Sequence, residues 1–391
     1  MDAERRARVQ AAMAREKLDL LVCRLPENVL LLSGYWPLNG LSFILVPADG
    51  EPVCIVPVTE ESEAAAELEG SALKSFPSGV LSAGDPDAHL LRLLSDQAKR
   101  LKPRRIGFEA GFTSIAPAWN AAELLVAGRA GEDMLHRAFG GADFIDATGM
   151  LYALRARKTP AEAARLRTSN EIAGLGLAAF AEAVAPGARG VDLVAAVESA
   201  VLVNGTGHRG ARRVRAFAQV AVGTAETALG YRPSEISTTR RLAPGEIALL
   251  ELGVVVDGYW SDRTRPRVAG EATAEQHRLC GLVVQAQEAA IQRIRPGVAA
   301  AEVDKAARSI LEDGGLGREF LHITGHGTGF RYHEPFPFVG PSAPGRLEEG
   351  MVLTVEPGIY AEAFGGIRME DDVLVGEAGA EVLGPFGKAL T

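Results

Sequence analysis

The chain has 391 residues, 47% of them hydrophobic, and a formal net charge of −9. That length predicts two domains rather than one. The acidic balance argues against nucleic acid, which demands a basic face, and three widely spaced cysteines, Cys23, Cys54 and Cys280, argue against a disulfide framework.

Residues 5–16 have the pattern of an amphipathic helix. The segment 1–17 lacks the apolar stretch and small-residue cleavage site of a signal peptide. No apolar run reaches the ~18 residues of a membrane span. A cytoplasmic protein without a membrane partner is therefore expected. Residues 18–23 read as a buried strand, and 28–32 as a further apolar run stopped by Ser33-Gly34. Residues 41–46 and 53–56 look like paired strands joined by the Ala48-Asp49-Gly50 turn. A helix is predicted over 87–100, a short strand over 105–108 and another helix over 116–125. This alternation makes residues 1–150 an α/β domain with a mixed or parallel sheet. No cluster in it looks catalytic.

A second domain is expected over 151–391. Its first long helix opens with Thr159 as N-cap, Pro160 at the first helical position and Glu162 in the first turn. A weak internal echo follows. Pro186-Gly187 and Pro296-Gly297, 110 residues apart, each join two Ala-rich helical stretches and precede glycine-rich loops and strands. Two helix–Pro-Gly–helix–sheet halves suggest a pseudo-twofold domain. The densest basic run, Arg209, Arg212, Arg213 and Arg215, reads best as a solvated loop edge; recognition of a small anion or carboxylate terminus is the sharper alternative.

The chemistry gathers in the last third. Glu251 and Asp262 flank Asp257-Gly258, a strong hairpin signal that could set the two carboxylates side by side. His322, His326 and His333 are three of only seven histidines. Gly325 and Gly327 around His326 would let the backbone approach a bound group. Glu356 ends an apolar run at Pro357-Gly358, and Glu370 lies between Ile367-Arg368-Met369 and the apolar residues 373–375. A capping role or a pairing with Arg263, Arg265 or Arg368 explains any one of these acids. It explains poorly four carboxylates with an imidazole. Buried glutamates are rare unless paired, and this oxygen-rich set without thiolate suits Mn²⁺, Co²⁺, Fe²⁺ or Zn²⁺. More carboxylates than one ion needs suggests one or two bound ions that activate water.

These residues resemble a known family. Pro26-Glu27-Asn28-Val29, Ser33-Gly34-Tyr35, Gly325-His326-Gly327-Thr328-Gly329, His333-Glu334-Pro335, Glu356-Pro357-Gly358 and Arg368-Met369-Glu370-Asp371 are similar to motifs of the two-domain "pita-bread" metallopeptidases. Those are the Xaa-Pro dipeptidases (prolidases), the aminopeptidases P and their metal-free relative creatinase. The resemblance covers nearly the whole chain. It implies a creatinase-like α/β N-terminal domain and an α+β pita-bread catalytic domain with pseudo-twofold halves. It implies metal-dependent hydrolysis beside proline in short peptides, and a homodimer. Asp262 and Glu370 would bridge two ions, Mn, Co or Zn. His326 and Glu356 would complete one shell, with Glu356 also deprotonating the attacking water. His333 would hold the scissile carbonyl, His322 would line the substrate site, and Arg368 would support a ligand strand or meet a substrate carboxylate. Tyr231 and Arg232, the latter a new cation beside the departure at Gly230 and not one the resemblance supplies, are also expected at the substrate site.

Two departures stand out. Glu251 occupies the position of the family's first aspartate ligand, one methylene longer. Gly230, in Leu229-Gly230-Tyr231-Arg232-Pro233, stands where a substrate-binding histidine is usual. A metal-free creatinase-like hydrolase or an impaired peptidase kept for binding is the alternative. Retention of Asp262, His326, Glu356 and Glu370 favours the peptidase.

Overall fold

The computed structural model describes every residue except 39–40, 69, 79–83, 112–128 and 233–236. The helix expected over 116–125 lies outside the described residues. Contacts divide the described chain into one unit ending at Arg155 and another running from Ala156 to Thr391.

The first unit alternates α1 (Ala3–Glu16), β1 (Leu20–Cys23), α2 (Pro26–Ser33), β2 (Phe43–Pro47), β3 (Val53–Pro57), α3 (Glu61–Glu67), β4 (Ala72–Phe76), α4 (Pro86–Leu101), β5 (Arg105–Phe108), α5 (Arg129–Ala138), β6 (Asp143–Asp146) and α6 (Thr148–Ala156). Its sheet runs β4-β3-β2-β1-β5-β6. The β1–β2 and β2–β3 pairs are antiparallel, and the others are parallel. The sheet is therefore mixed. β1, β2 and β3 are buried at every residue, as strands covered on both faces are.

The apolar run at 28–32 is helical. Pro26 pre-sets the first turn of α2, and Gly34 ends it at φ 82°. Every residue of α2 is buried, so no periodic polar face marks it in the sequence. Its N-terminus is completed from afar. The Glu109 carboxylate accepts from the Arg24 and Leu25 amides and from Asn28 Nδ2 (2.7 Å), while Asn28 Oδ1 accepts from Arg155 Nη1. The donors offset part of the burial cost of Glu109, but burial dominates and pushes its carboxyl up to about 7.

The second unit opens with α7 (Pro160–Ala183), capped as expected by a reciprocal Thr159–Glu162 box with Pro160 behind it. There follow α8 (Gly190–Gly205), β7 (Val214–Val222), α9 (Gly223–Thr227), β8 (Ile247–Val256), β9 (Tyr259–Val268), α10 (Ala274–Arg293) and α11 (Ala300–Asp313). The chain ends with β10 (Gly325–Gly327), β11 (Glu334–Val339), β12 (Val352–Val355), β13 (Gly358–Ala361), β14 (Gly365–Arg368), β15 (Asp371–Val375) and β16 (Ala380–Val382).

The internal echo is a structural duplication. Gly187 N–H donates to the Leu242 carbonyl at 2.7 Å, and Gly297 N–H to that of Leu347 at 2.8 Å. Arg241 and Arg346 each return a guanidinium hydrogen bond of 2.7 Å, to the Gly187 and Gly297 carbonyls. Val222 pairs with Ala248 in one half, and Gly327 with Leu353 in the other. Glu251 follows Ala248 at the spacing at which Glu356 follows Leu353. The two glutamates are pseudo-symmetric mates. α7 and α8 bury the core of the first half, α10 and α11 that of the second.

The Glu109 cap carries a prediction. A carboxyl raised from its ordinary range to about 7 contributes stability that is full below about 4.5 and lost as pH rises through 7. Glu109→Gln mimics the protonated form. Denaturation midpoints of wild type and variant should nearly coincide at pH 5. By pH 8 the wild type should fall behind by on the order of 1–3 kcal/mol.

Candidate metal centre

The β8–β9 hairpin turns at Asp257-Gly258, both at positive φ (50° and 90°), as the turn signal anticipates. The two-residue turn sets the register. Glu251 faces Thr264, and Gly253 faces Asp262. Paired and alternate residues share a face, so Glu251 and Asp262 are diagonal neighbours on one face. Their oxygens lie with one of Glu370 within a 4.8 Å group.

Asp262 is fully buried, and among the described residues neither of its carboxylate oxygens makes a well-formed hydrogen bond, although the Tyr332 hydroxyl lies near enough to lower its pKa, the smallest of the influences on it. Burial, Glu370 and Glu356 push its carboxyl far above the usual range. Glu356 is raised by burial and Glu370, and Glu370 reaches about 7 through burial despite the opposing Arg368. Buried like charges cannot all ionise without a counter-charge.

His326 sits on β10 between two other strands. A Cβ on Gly325 or Gly327 would strike the backbone carbonyl of Thr354 or Phe336. These glycines therefore serve close strand packing; their neighbours are strands of the same sheet, where the sequence suggested approach to a bound group. His326 Nδ1 is 2.9 Å from the Gly327 carbonyl, which makes it the protonated nitrogen. Nε2 is left facing Asp262 and Glu356 at 3.5 Å each. Burial and His333 depress the His326 pKa, which favours the neutral ligand form. Glu356 is held by its own amide on the Thr324 carbonyl and by the Thr354 hydroxyl. Thr264 donates to Glu370 Oε2 at 2.6 Å.

The residues present fit a divalent cation. Orphaned buried oxygens, an oriented imidazole nitrogen and carboxylates of raised pKa converge on one space. His326, Glu356 and Glu370 form one candidate group; Glu251, Asp262 and Glu370 form another. Behind them, Arg263 and Arg265 both donate to Asp371 at 2.6 Å, and Arg265 also holds the Glu370 carbonyl. Asp372 accepts from the Asp262 amide and from Asn170.

The remaining expected residues fall into two groups. His333 stacks on His326 with ring centroids 4.3 Å apart, and its Nε2 lies 3.9 Å from Asp262. His322 donates from Nδ1 to the Ile323 carbonyl and meets the Tyr360 hydroxyl at Nε2; burial lowers its pKa to about 4, so it is neutral. Arg368 is buried and donates to Thr264, the Gly230 carbonyl, Tyr360 and Glu251. These contacts are all to protein groups. Tyr231 packs on Tyr360 at 5.3 Å, and exposed Arg232 lies over the Tyr231 ring. Gly230 is tightly seated, for a Cβ there would lie 2.9 Å from Leu249 and 3.0 Å from the Thr227 carbonyl. In the basic run, Arg209 pairs with Glu171, and the Arg212 and Arg213 amides bind Asp257 at the hairpin turn.

Sequence reasoning missed Thr264, Tyr332 and Tyr360. Their hydroxyls act through partners brought near only by the fold. The one signal available was spacing, since a turn at 257–258 places Thr264 opposite Glu251.

The chain is similar to known proteins in both of its units. Residues 164–377 match metallopeptidase family M24, and residues 5–157 match the creatinase/prolidase N-terminal domain. The Xaa-Pro dipeptidase of Pyrococcus furiosus is 34% identical over 230 residues, which span 59% of this chain and 63% of that protein, less than two thirds of its length. A putative dipeptidase of Bacillus subtilis, YkvY, is 33% identical over 66% of this chain and 68% of its own. The crystal structure of the prolidase from Pyrococcus horikoshii OT3 superposes with a TM-score of 0.80 at 26% identity, covering 99% of this chain and all of that one. The two-domain architecture with a pita-bread catalytic half is thereby the fold of this chain.

Asp262→Asn tests the cation argument. In wild type, a divalent ion at a hundredfold excess over its dissociation constant should stabilise the fold by roughly 2.7 kcal/mol. Asp262→Asn should lose most of that shift. Its chelator-treated form should melt no lower than chelator-treated wild type, because an unpaired buried acid has been removed. Calorimetry with and without metal reads both.

Proposed function

Because this chain belongs to metallopeptidase family M24, we propose that it is a metal-dependent Xaa-Pro peptidase acting on short proline-containing peptides. One observation carries the reading: the two unpartnered oxygens of buried Asp262, with His326 Nε2 turned towards them. Relatives named Xaa-Pro dipeptidase and prolidase support the substrate class. A metal-free creatinase-like activity would give Asp262, His326, Glu356 and Glu370 no common purpose.

One or two ions of Mn, Co or Zn, held by Glu251, Asp262, His326, Glu356 and Glu370, would lower the pKa of water and polarise the scissile carbonyl. Glu356, oriented by Thr354, takes the proton released when the water oxygen bonds to the carbonyl carbon. That proton is then available to the leaving nitrogen as the peptide C–N bond breaks. His333, partly exposed beside His326, donates to the developing oxyanion. Neutral His322, fixed by Tyr360, lines the substrate side with Tyr231. Arg368 holds Glu251 and Tyr360 in place, which leaves exposed Arg232 as the cation suited to a peptide carboxylate. A dipeptidase or carboxypeptidase preference follows from that cation, in a cytoplasmic homodimer.

Chelation should abolish hydrolysis of Xaa-Pro dipeptides, and Mn²⁺, Co²⁺ or Zn²⁺ should restore it; full activity of metal-free protein would contradict the reading. His333→Ala should keep bound metal and lose about 10²-fold or more in kcat. For substrate choice, Arg232→Ala should raise KM several-fold for free acids and leave C-terminal amides unchanged, the scale of an exposed charge pair. Equal rates for acid and amide in wild type would favour aminopeptidase action.

A further inference from the structure

Glu251 is a long arm at a ligand position. Each methylene adds a rotatable bond, and a carboxylate free to swing samples many orientations. Here both oxygens are engaged. Oε2 receives Arg368 and lies 3.1 Å from the Thr264 hydroxyl, whose single proton is nearer Glu370, and Oε1 receives the Tyr332 hydroxyl at 2.8 Å. Arg368 holds one oxygen; among the described residues the phenol alone is seen on the other, and two held oxygens fix the carboxylate plane.

The Tyr332 ring is itself built in. It is 2% exposed. Trp260 lies 5.6 Å from it, and His333 meets it edge-on at 4.4 Å. It lies against Gly253, where a Cβ would come within 2.9 Å of two ring carbons. Gly253 stands on the same face of β8 as Glu251 and opposite Asp262 in β9. Absence of a side chain at Gly253 thus lets an aromatic ring lie along the strand and reach the carboxylate two residues back.

We propose that Tyr332 is the positioning residue for Glu251, clamping the longer carboxylate in the orientation in which it can serve as a ligand beside Asp262 and Glu370. The inference rests on the metal-centre reading above. Tyr332 donates to Glu251 and lies beside Asp262 but touches no reacting atom, so its effect is on ion binding and geometry.

The test is Mn²⁺ titration by calorimetry, with the visible spectrum of the Co²⁺-loaded protein as a second readout. Four proteins form a cycle: wild type, Tyr332→Phe, Glu251→Asp and the double variant. Tyr332→Phe should fold with an unchanged far-UV spectrum, weaken the weakest Mn²⁺ step at least tenfold and shift the Co²⁺ bands. It should lower kcat at subsaturating metal more than it changes KM. In Glu251→Asp the carboxylate is withdrawn by ~1.5 Å from the phenol, so adding Tyr332→Phe should change affinity less than threefold. Gly253→Ala, which crowds the ring without touching either oxygen, should reproduce the loss and keeps the test open if Tyr332→Phe does not fold. Unchanged affinity and Co²⁺ spectrum in these variants, or additive effects in the cycle, would overturn the clamp alone. Wild type that binds no Mn²⁺ would overturn both the clamp and the metal centre.

Discussion

Everything in the second unit answers to one electrostatic constraint: carboxylates are buried together with too little positive charge among them. Asp262, Glu356 and Glu370 are all raised in pKa by burial; Glu370 adds to the rise at Asp262 and Glu356, and Asp372 and Asp371 add to that at Glu370. Arg368 neutralises part of the cluster from the Glu251 side, but Asp262 is left with both oxygens unpartnered among the described residues. Burying an ion without a partner is too costly to be incidental. A divalent cation resolves the conflict. The fold can be read as the apparatus that keeps it there.

That apparatus has layers. Strand pairing brings the acids to one face, and duplication of the half-domain supplies Glu251 and Glu356 at matching positions. The second layer fixes orientation. Thr354, the Gly327 carbonyl and the Tyr332 phenol each hold one candidate ligand side chain, and the Thr264 hydroxyl lies between Glu370 and Glu251. Outer partners of this kind set ligand direction and basicity. Behind them, Asp371 is spanned by Arg263 and Arg265, which ties β9 to β15, the strands carrying or adjoining Asp262 and Glu370.

Legibility in the sequence followed the range of the interaction. The strand at Arg105–Phe108, the Thr159 cap and the Asp257-Gly258 turn are written locally, in residues a few positions apart. The acids and histidines of the centre were readable because charge in apolar surroundings is conspicuous in any fold. Helix α2 was not, because it is buried on all sides and its N-terminal partner, Glu109, comes from β5's end. Nor were Tyr332 and Tyr360, since a phenol in an apolar stretch looks like core until the fold brings it to Glu251 or His322. Gly325 and Gly327 were read correctly as sites of close approach but assigned the wrong neighbour.

The central claim is that a cation belongs between His326 and the acids. Anomalous diffraction at the Mn edge, from crystals grown with Mn²⁺, tests it most directly. The account predicts a peak about 2.0–2.2 Å from His326 Nε2 and from a carboxylate oxygen of Asp262 or Glu356, distances ordinary for such ligands. No peak among these residues at saturating Mn²⁺, with Asp262 still buried and unpartnered, would contradict it.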